Sequence, residues 1–260
     1  MFGCSERVAF YIGNYPVMKY GITMGISIAA SLVVLFKIKK RFYPEFPEEK
    51  IIDLSFLLII FGIVGARLWY VLLNLPFFIH NPLEIPMINH GGISIQGAVA
   101  AGIITGLIYT KKHYMRFLKC ADLFACVLPL GQAIGRWGNF FNSEAYGLPC
   151  DLPWKLFIPI RNRSAEYINF EYFHPTFLYE SILDFVIFLI LLAICFKRKH
   201  KSSGTIFFLY LIMYSFVRFC IEFIRTDSVL NICNIPVAAI VCAIFIIIGI
   251  FGLTFISKKS

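Results

Sequence analysis

Long runs of apolar residues alternate along the chain with shorter polar segments. We predict a membrane-spanning helix in each of seven runs: 17–36, 51–73, 92–110, 121–135, 177–196, 204–224 and 235–257. A helix needs about 20 apolar residues to cross a bilayer, whereas a strand of a membrane barrel needs about 10 of alternating polarity. The fourth run is the shortest and contains Pro129. The pattern therefore predicts an all-α integral membrane protein with seven transmembrane helices.

The composition agrees with a membrane protein. Of the 260 residues, 59% are hydrophobic and only 15% are charged, and the mean hydropathy is +0.77. Soluble domains contain about 25% charged residues. This composition excludes an ordinary soluble enzyme and an intrinsically disordered chain.

Lys and Arg residues are distributed unevenly between the polar segments. The loops 37–50, 111–119 and 197–203 and the tail after 257 contain fifteen of them, and the opposite segments contain six. Basic residues are concentrated in cytoplasmic loops, so we predict an external N-terminus and a cytoplasmic C-terminus. The segment 136–176 then forms a small extracytoplasmic cap. We attribute the net charge of +9 to membrane orientation and to contacts with anionic lipids rather than to nucleic-acid binding.

Polar residues within or beside the predicted spans converge on the external side. Arg218, Glu222 and Arg225 have helical spacing that places them on one helix face. Arg67 lies in the outer half of the second span. The other convergent residues are Tyr20, His90, Gln96, Arg136, Asn139, Asn142, Glu144, His174, Tyr179 and Glu180.

This convergence has two interpretations. Intramembrane charges are costly and often form structural ion pairs, which could account for any one of these residues. Several arginines with partial carboxylate compensation, however, favour an anion site, because the planar guanidinium fork matches phosphate. At the outer leaflet, such an anion is most simply a phospholipid headgroup.

Among the spans, Gly97, Ala101 and Gly102 are predicted to mediate close helix contact.

Residues 135–147 read GRWGNFFNSEAYG. This motif resembles the signature of the prolipoprotein diacylglyceryl transferases, G-R-x-G-N-F-x-N-x-E-x-x-G, at every fixed position. Five further segments resemble the family in the same order: MKYG at 18–21, GARLWYV at 66–72, HGGISIQGA at 90–98, HPTFLYE at 174–180 and RFCIEFIR at 218–225. The resemblance covers essentially the whole chain.

The resemblance implies transfer of the diacylglyceryl group of phosphatidylglycerol to the lipobox cysteine of a preprolipoprotein, with release of glycerol-1-phosphate. It implies a multi-pass protein of the bacterial cytoplasmic membrane whose site faces the outer leaflet, without metal or soluble cofactor. The family motifs imply that Arg136 and Arg218 hold the phosphate, together with Arg225. The motifs also imply that Asn139 and Asn142 bind headgroup oxygens and that Glu144 and Glu222 orient the arginines or the glycerol hydroxyls. They further imply that Tyr20 lies near the site and that the backbone requires glycine at Gly147.

One position departs from the family pattern. Many members have His where this chain has Gln96, and that His is a candidate proton acceptor in the family. Gln cannot act as a general base, so Gln96 is expected to form hydrogen bonds. His90 and His174 are alternative bases, and thiolate formation assisted by arginine without a dedicated base is equally open.

Two other functions remain open. A lipid transporter or lipid-binding protein could carry the same anion site, although a transporter should also place polar groups at the membrane midplane. A diverged family member could use a different thiol acceptor.

Overall fold

The structure, a computed structural model, describes residues 7–88, 91–197, 202–226, 231–232 and 235–258. In these ranges the chain is mainly helical. The helices are α1 (Lys19–Phe42), α2 (Glu48–Leu73), α3 (Leu75–His80), α4 (Ile95–Lys112), α5 (Phe117–Ala125), α6 (Leu128–Asn142), α7 (Thr176–Lys197), α8 (Thr205–Glu222) and α9 (Val237–Ser257). Three antiparallel pairs are formed by β1 (Val8–Ile12) with β2 (Tyr15–Met18), β3 (Leu156–Phe157) with β4 (Tyr172–Phe173), and β5 (Asn231–Ile232) with β6 (Ile235–Pro236).

Five helices of the described chain are long and apolar enough to cross a membrane: α1, α2, α7, α8 and α9. Helices α5 and α6 form a sixth candidate span if the pair counts as one broken helix, bent by 45°. Helix α4, the third predicted span, is not among these six; it begins with Ile95 and Gln96 and ends with two lysines. The chain is therefore an all-α membrane protein with five to six candidate spans.

The fourth predicted span, 121–135, differs from the structure at both ends. The chain breaks between α5 and α6, next to Pro129, which lies at the start of α6. Helix α6 then continues to Asn142, so that Arg136 and its neighbours lie on the helix itself rather than after a span. The helix ends because Ser143 adopts a left-handed conformation with φ 52°, which terminates helices.

The chain divides into two compact units. One unit contains residues 39–120 and the other contains residues 1–38 and 121–260. In the first, α2 packs closely on α4 because Gly65 faces Gly97 and Ala101, where an added Cβ would collide with the neighbouring helix. The predicted contacts of Gly97 and Ala101 are thus confirmed. The prediction for Gly102 is wrong, since a Cβ there would meet nothing within 4 Å.

Arg67 organises the connection between α2 and α4. Its buried guanidinium donates hydrogen bonds to five backbone carbonyls of this connection, including those of Ile85 at 2.9 Å and Gly92 at 2.8 Å. It also lies over the ring of Phe78, 5.2 Å from the ring centre. Through these contacts the Arg67 side chain stabilises the fold of its own unit. Arg67 is therefore a structural residue, and its assignment to the convergent anion site is corrected.

In the second unit, helices α1, α6, α7, α8 and α9 pack around polar as well as apolar contacts. Ser27 of α1 donates to the carbonyl of Gly131 on α6 over 2.6 Å. Buried Asp122 accepts hydrogen bonds from the backbone N–H groups of Gly204 and Phe207, at 2.7 and 2.8 Å. This carboxylate thereby caps the beginning of α8, where helix N–H groups lack partners.

Residues 143–175 form a compact insert between α6 and α7. Its core contains Tyr146, Leu156, Ile158 and Phe173, packed against Phe177 of α7. The Tyr146 hydroxyl donates to the carbonyl of Asn162 and accepts from the N–H of Ser164. The insert is thus fixed to the helical unit by its own small core.

Candidate functional site

Glu180 of α7 lies at the centre of a buried group of charges. Its carboxylate contacts three arginines: Nε of Arg136, NH1 of Arg218 at 3.0 Å and NH1 of Arg225 at 3.4 Å. The Glu180 side chain is only 2% exposed. A carboxylate at this depth would be costly without cationic partners, so the three arginines account for its burial.

A second carboxylate completes the group. Glu222 lies one helical turn after Arg218 on α8, and its Oε2 atom is 2.5 Å from NH2 of Arg218. Arg218 therefore uses one terminal nitrogen for Glu180 and the other for Glu222. We call Arg136, Glu180, Arg218, Glu222 and Arg225 the arginine–glutamate cluster.

The cluster is partly exposed. The side chains of Arg136 and Arg218 are 19% and 18% exposed, although both carboxylates are buried. Arg136 contacts Glu180 through Nε. Guanidinium groups held in this way can accept an anion without moving.

Tyr20 of α1 lies against the motif helix. A Cβ at Gly138 would be 2.7 Å from Cδ2 of Tyr20, so only glycine allows the ring to pack there. The Tyr20 hydroxyl interacts electrostatically with both Glu144 and Arg136. Because Gly138 is one of the motif glycines, the motif helps to position Tyr20 beside the cluster.

Three polar motif residues follow Arg136: Asn139 and Asn142 on α6, and Glu144 just after the helix ends. Nδ2 of Asn139 donates to Oε1 of Glu144 over 2.9 Å. The backbone carbonyl of Asn142, at the end of the helix, accepts hydrogen bonds from Arg7 and from Asn162 of the insert. These contacts tie the end of α6 to the N-terminal segment and to the insert.

Gly147 lies where the insert crosses the end of α8. It pairs with Arg225 in an antiparallel bridge, and its N–H donates to the carbonyl of His174 over 2.9 Å. A Cβ at Gly147 would lie 2.8 Å from Cβ of His174 and 3.0 Å from a methyl group of Ile224. This close packing explains a backbone requirement for glycine next to Arg225.

Two neighbouring groups complete the site. Asp184 follows Glu180 by one turn on α7; it is buried, and its oxygens form no hydrogen bond with the described residues. It interacts electrostatically with Arg136 and Arg218. His174 contacts the Tyr179 hydroxyl at 3.3 Å, and that oxygen also accepts a hydrogen bond from Trp154.

The other predicted residues belong to the unit of residues 39–120. Gln96 is exposed at the start of α4, where its side-chain oxygen accepts a hydrogen bond from Ser94 over 2.5 Å. His90 lies outside the described residues. The cluster is therefore built from one unit alone, by α6, α7 and the end of α8.

Sequence reasoning placed Glu180 at the opening of a span but gave it no role. In the structure Glu180 is the residue that the three arginines share. The available signal was the segment HPTFLYE, whose only acidic residue is Glu180. Because an intramembrane carboxylate needs a cationic partner, Glu180 is a candidate partner of the arginines on the sequence alone.

The comparisons with known proteins agree with the motif. The family profile described as prolipoprotein diacylglyceryl transferase matches residues 7–255. Three similar proteins carry the name phosphatidylglycerol–prolipoprotein diacylglyceryl transferase. The protein of Thermotoga maritima is 44% identical over 252 residues, covering 95% of this chain and 83% of the relative.

The protein of Staphylococcus haemolyticus is 42% identical over 250 residues, covering 94% of this chain and 86% of the relative. That of Nostoc sp. is 41% identical over 264 residues, covering 100% and 92%. Because both the profile and these relatives extend over nearly the full length, the chain belongs to the prolipoprotein diacylglyceryl transferase family.

Proposed function

We propose that this protein transfers the diacylglyceryl group of phosphatidylglycerol to the lipobox cysteine of a preprolipoprotein. The observation that carries the proposal is the arginine–glutamate cluster, in which Arg136 and Arg218 are held in place yet partly exposed. A fixed pair of guanidinium groups inside a membrane protein suits the phosphate of a lipid headgroup.

In the proposed reaction, the cysteine sulfur attacks the carbon of the diacylglyceryl group that is bonded to the phosphate oxygen. A C–S bond forms and the C–O bond to the phosphate breaks, so the electron pair leaves with glycerol-1-phosphate. The thiol proton passes to solvent or to the departing phosphate. The products are a thioether on the preprolipoprotein and a water-soluble phosphate monoester.

The residues of the cluster have distinct tasks in this proposal. Arg136 and Arg218 stabilise the negative charge that develops on the leaving phosphate, and Arg225 adds to the local positive potential. Glu180 and Glu222 hold the arginines in position, because each carboxylate contacts Arg218 directly. A guanidinium that is already oriented needs no reorganisation during the reaction.

The polar motif residues at the end of α6 and their neighbours orient the substrates. Asn139, Asn142 and Glu144 bind the headgroup hydroxyls. The hydrogen bond from Asn139 to Glu144 and the electrostatic interaction of Tyr20 with Glu144 and Arg136 support this assignment. Gly147 keeps the backbone close to Arg225. Gln96 contributes a hydrogen bond rather than general base catalysis. The arginines of the cluster favour the thiolate form of the cysteine.

The topology is part of the proposal. The protein spans the bacterial cytoplasmic membrane seven times, with α4 as one span and the α5–α6 pair as another. The N-terminus and the insert face outward, the C-terminus faces the cytoplasm, and the cluster lies at the level of the outer leaflet. The uneven distribution of basic residues supports this orientation.

Reconstitution tests the proposed reaction. Purified protein in vesicles is given phosphatidylglycerol labelled in its acyl chains, with a lipobox peptide or its Cys→Ser version. We expect label on the Cys peptide only, with one glycerol-1-phosphate released for each transfer. Lipid exchange without covalent transfer would instead identify a lipid-binding or transport protein. Transfer to an unrelated thiol and not to the lipobox peptide would identify a diverged acceptor.

A further inference from the structure

A pocket of about 400 Å³ lies between the end of α6 and the insert. None of the five residues of the arginine–glutamate cluster lines it, although it shares Asn142 and Glu144 with the proposed headgroup site. Its charged lining residues are Arg7, Arg161, Arg163 and Glu144. The volume is in the range of small-molecule sites. We call this cavity the insert pocket.

The lining charges make the insert pocket an anion site. Three arginines face one glutamate, which leaves an excess of two positive charges. Arg161 is exposed and forms no hydrogen bond or ion pair with the described residues. Arg163, by contrast, donates to the carbonyls of Ile158 and Ile168 and holds the insert together.

A further polar group in the wall lacks a partner. The Oγ atom of Ser164 is buried and forms no hydrogen bond with the described residues, although Ser164 lines the pocket. Buried hydroxyl groups are almost always hydrogen-bonded. A ligand with acceptor oxygens in the pocket would pair with the guanidinium of Arg161.

The pocket is connected to the cluster by polar residues. Asn142 and Glu144 line the pocket, and Glu144 accepts a hydrogen bond from Asn139, one turn after Arg136 on α6. Thr226 also lines it and directly follows Arg225. A hydrophilic anion released at the cluster would therefore find polar groups along the way to the pocket.

We propose that the insert pocket binds the phosphate monoester product, glycerol phosphate, after it leaves the arginine–glutamate cluster. This inference rests on the proposed function for the origin of the ligand. The diacylglyceryl product remains in the bilayer, whereas the phosphate product must reach water. A site on the aqueous side of the cluster withdraws this product, so that a new lipid headgroup can bind.

Charge distinguishes the product from the substrate. The headgroup phosphate of phosphatidylglycerol is a diester with one negative charge. A phosphate monoester carries about 1.5 to 2 negative charges at pH 7. Three arginines around a small pocket favour the more highly charged species. The pocket should therefore prefer free glycerol phosphate to the intact headgroup.

Direct binding tests the pocket independently of turnover. The purified full chain is titrated with glycerol-1-phosphate and with dimethyl phosphate, which mimics the diester, by calorimetry or phosphorus NMR. We expect saturable binding of the monoester, weaker binding of the diester, and an affinity about tenfold lower in Arg161→Gln. Lys155→Gln removes a positive charge from the same insert outside the pocket and should leave the affinity unchanged.

Kinetics provide the second measurement. Glycerol-1-phosphate should inhibit transfer, and its inhibition constant should rise about tenfold in Arg161→Gln while KM for phosphatidylglycerol stays constant. A change in KM without a change in product inhibition would assign the pocket to the lipid headgroup and overturn the proposal. Equal affinity of Arg161→Gln and the parent protein would also overturn it. If the parent binds glycerol phosphate but transfers nothing, the proposed function fails and the anion site stands.

Discussion

NH1 of Arg218 lies 3.0 Å from Oε1 of Glu180, which joins the end of α8 to the beginning of α7. The same carboxylate also contacts arginines from α6 and from the segment after α8. One glutamate thus sets the position of three cations. Its central place makes the cluster a single unit, in which the loss of one partner affects the others.

Replacement of Glu180 by Gln should therefore disrupt the whole cluster. Removal of the buried charge leaves the arginines without their common partner, and loss of one member of a buried ion pair costs about 3–5 kcal/mol. We expect a lower thermal unfolding temperature and a transfer rate at least about tenfold lower. Glu171→Gln, at an exposed position of the insert, is the matched control. Normal stability and rate in Glu180→Gln would contradict the central role of this residue.

Arg218→Lys should lose most of the transfer activity although the positive charge is retained. A lysine ammonium cannot hold Glu180 and Glu222 with two separate nitrogens and also bind phosphate in a bidentate manner. The expected loss is about a hundredfold in kcat/KM, measured with labelled phosphatidylglycerol. Arg116→Lys, at an exposed position, is the control and should leave the transfer activity unchanged. Full activity of Arg218→Lys would show that only the charge matters.

Gly138→Ala should displace Tyr20. The new methyl group would lie 2.7 Å from the tyrosine ring, and overpacking of this kind costs about 1–3 kcal/mol. We expect reduced thermal stability together with reduced transfer. Gly102→Ala is the matched control, since that position is open, and it should be neutral or slightly stabilising. Tyr20→Phe removes the hydroxyl and keeps the ring. Loss of transfer activity at normal stability in this variant would show that the hydroxyl itself is needed.

Gln96→His should retain activity, because Gln and neutral His both donate and accept hydrogen bonds. Gln96→Ala should reduce transfer by about tenfold to a hundredfold, as expected for one orienting hydrogen bond to a charged group. The pH profile is the second measurement, since an imidazole base in the His variant would introduce a new limb near pH 6.5. An inactive parent protein that gains activity in Gln96→His would reverse our interpretation of this position.

Reporter fusions test the proposed orientation. Fusions after residues 45 and 115 should report a cytoplasmic location, because these loops contain many basic residues. Fusions after residues 82 and 155 should report an external location. A cytoplasmic result at residue 155 would mean that the α5–α6 pair does not cross the membrane, and it would place the insert on the wrong side for an outer-leaflet headgroup.

The sequence by itself determined the class of the protein and its family. Apolar runs of bilayer length leave helices as the only way to satisfy the backbone in lipid, and the motif at 135–147 identifies the family without any structure. The pairing of Arg218 with Glu222 could also be predicted, because residues four apart on a helix share a face. These features depend on local spacing, which a linear sequence contains.

Tertiary structure decided which polar residues meet. Glu180 and Arg218 are 38 residues apart, and only the packing of α7 on α8 makes them partners. Arg67 has the same intramembrane character as Arg136, yet its guanidinium is used by backbone carbonyls of its own unit. Gly97 and Gly102 are equally small, but only Gly97 faces another helix. Burial and pairing of this kind depend on contacts distant in sequence, and no local pattern encodes them.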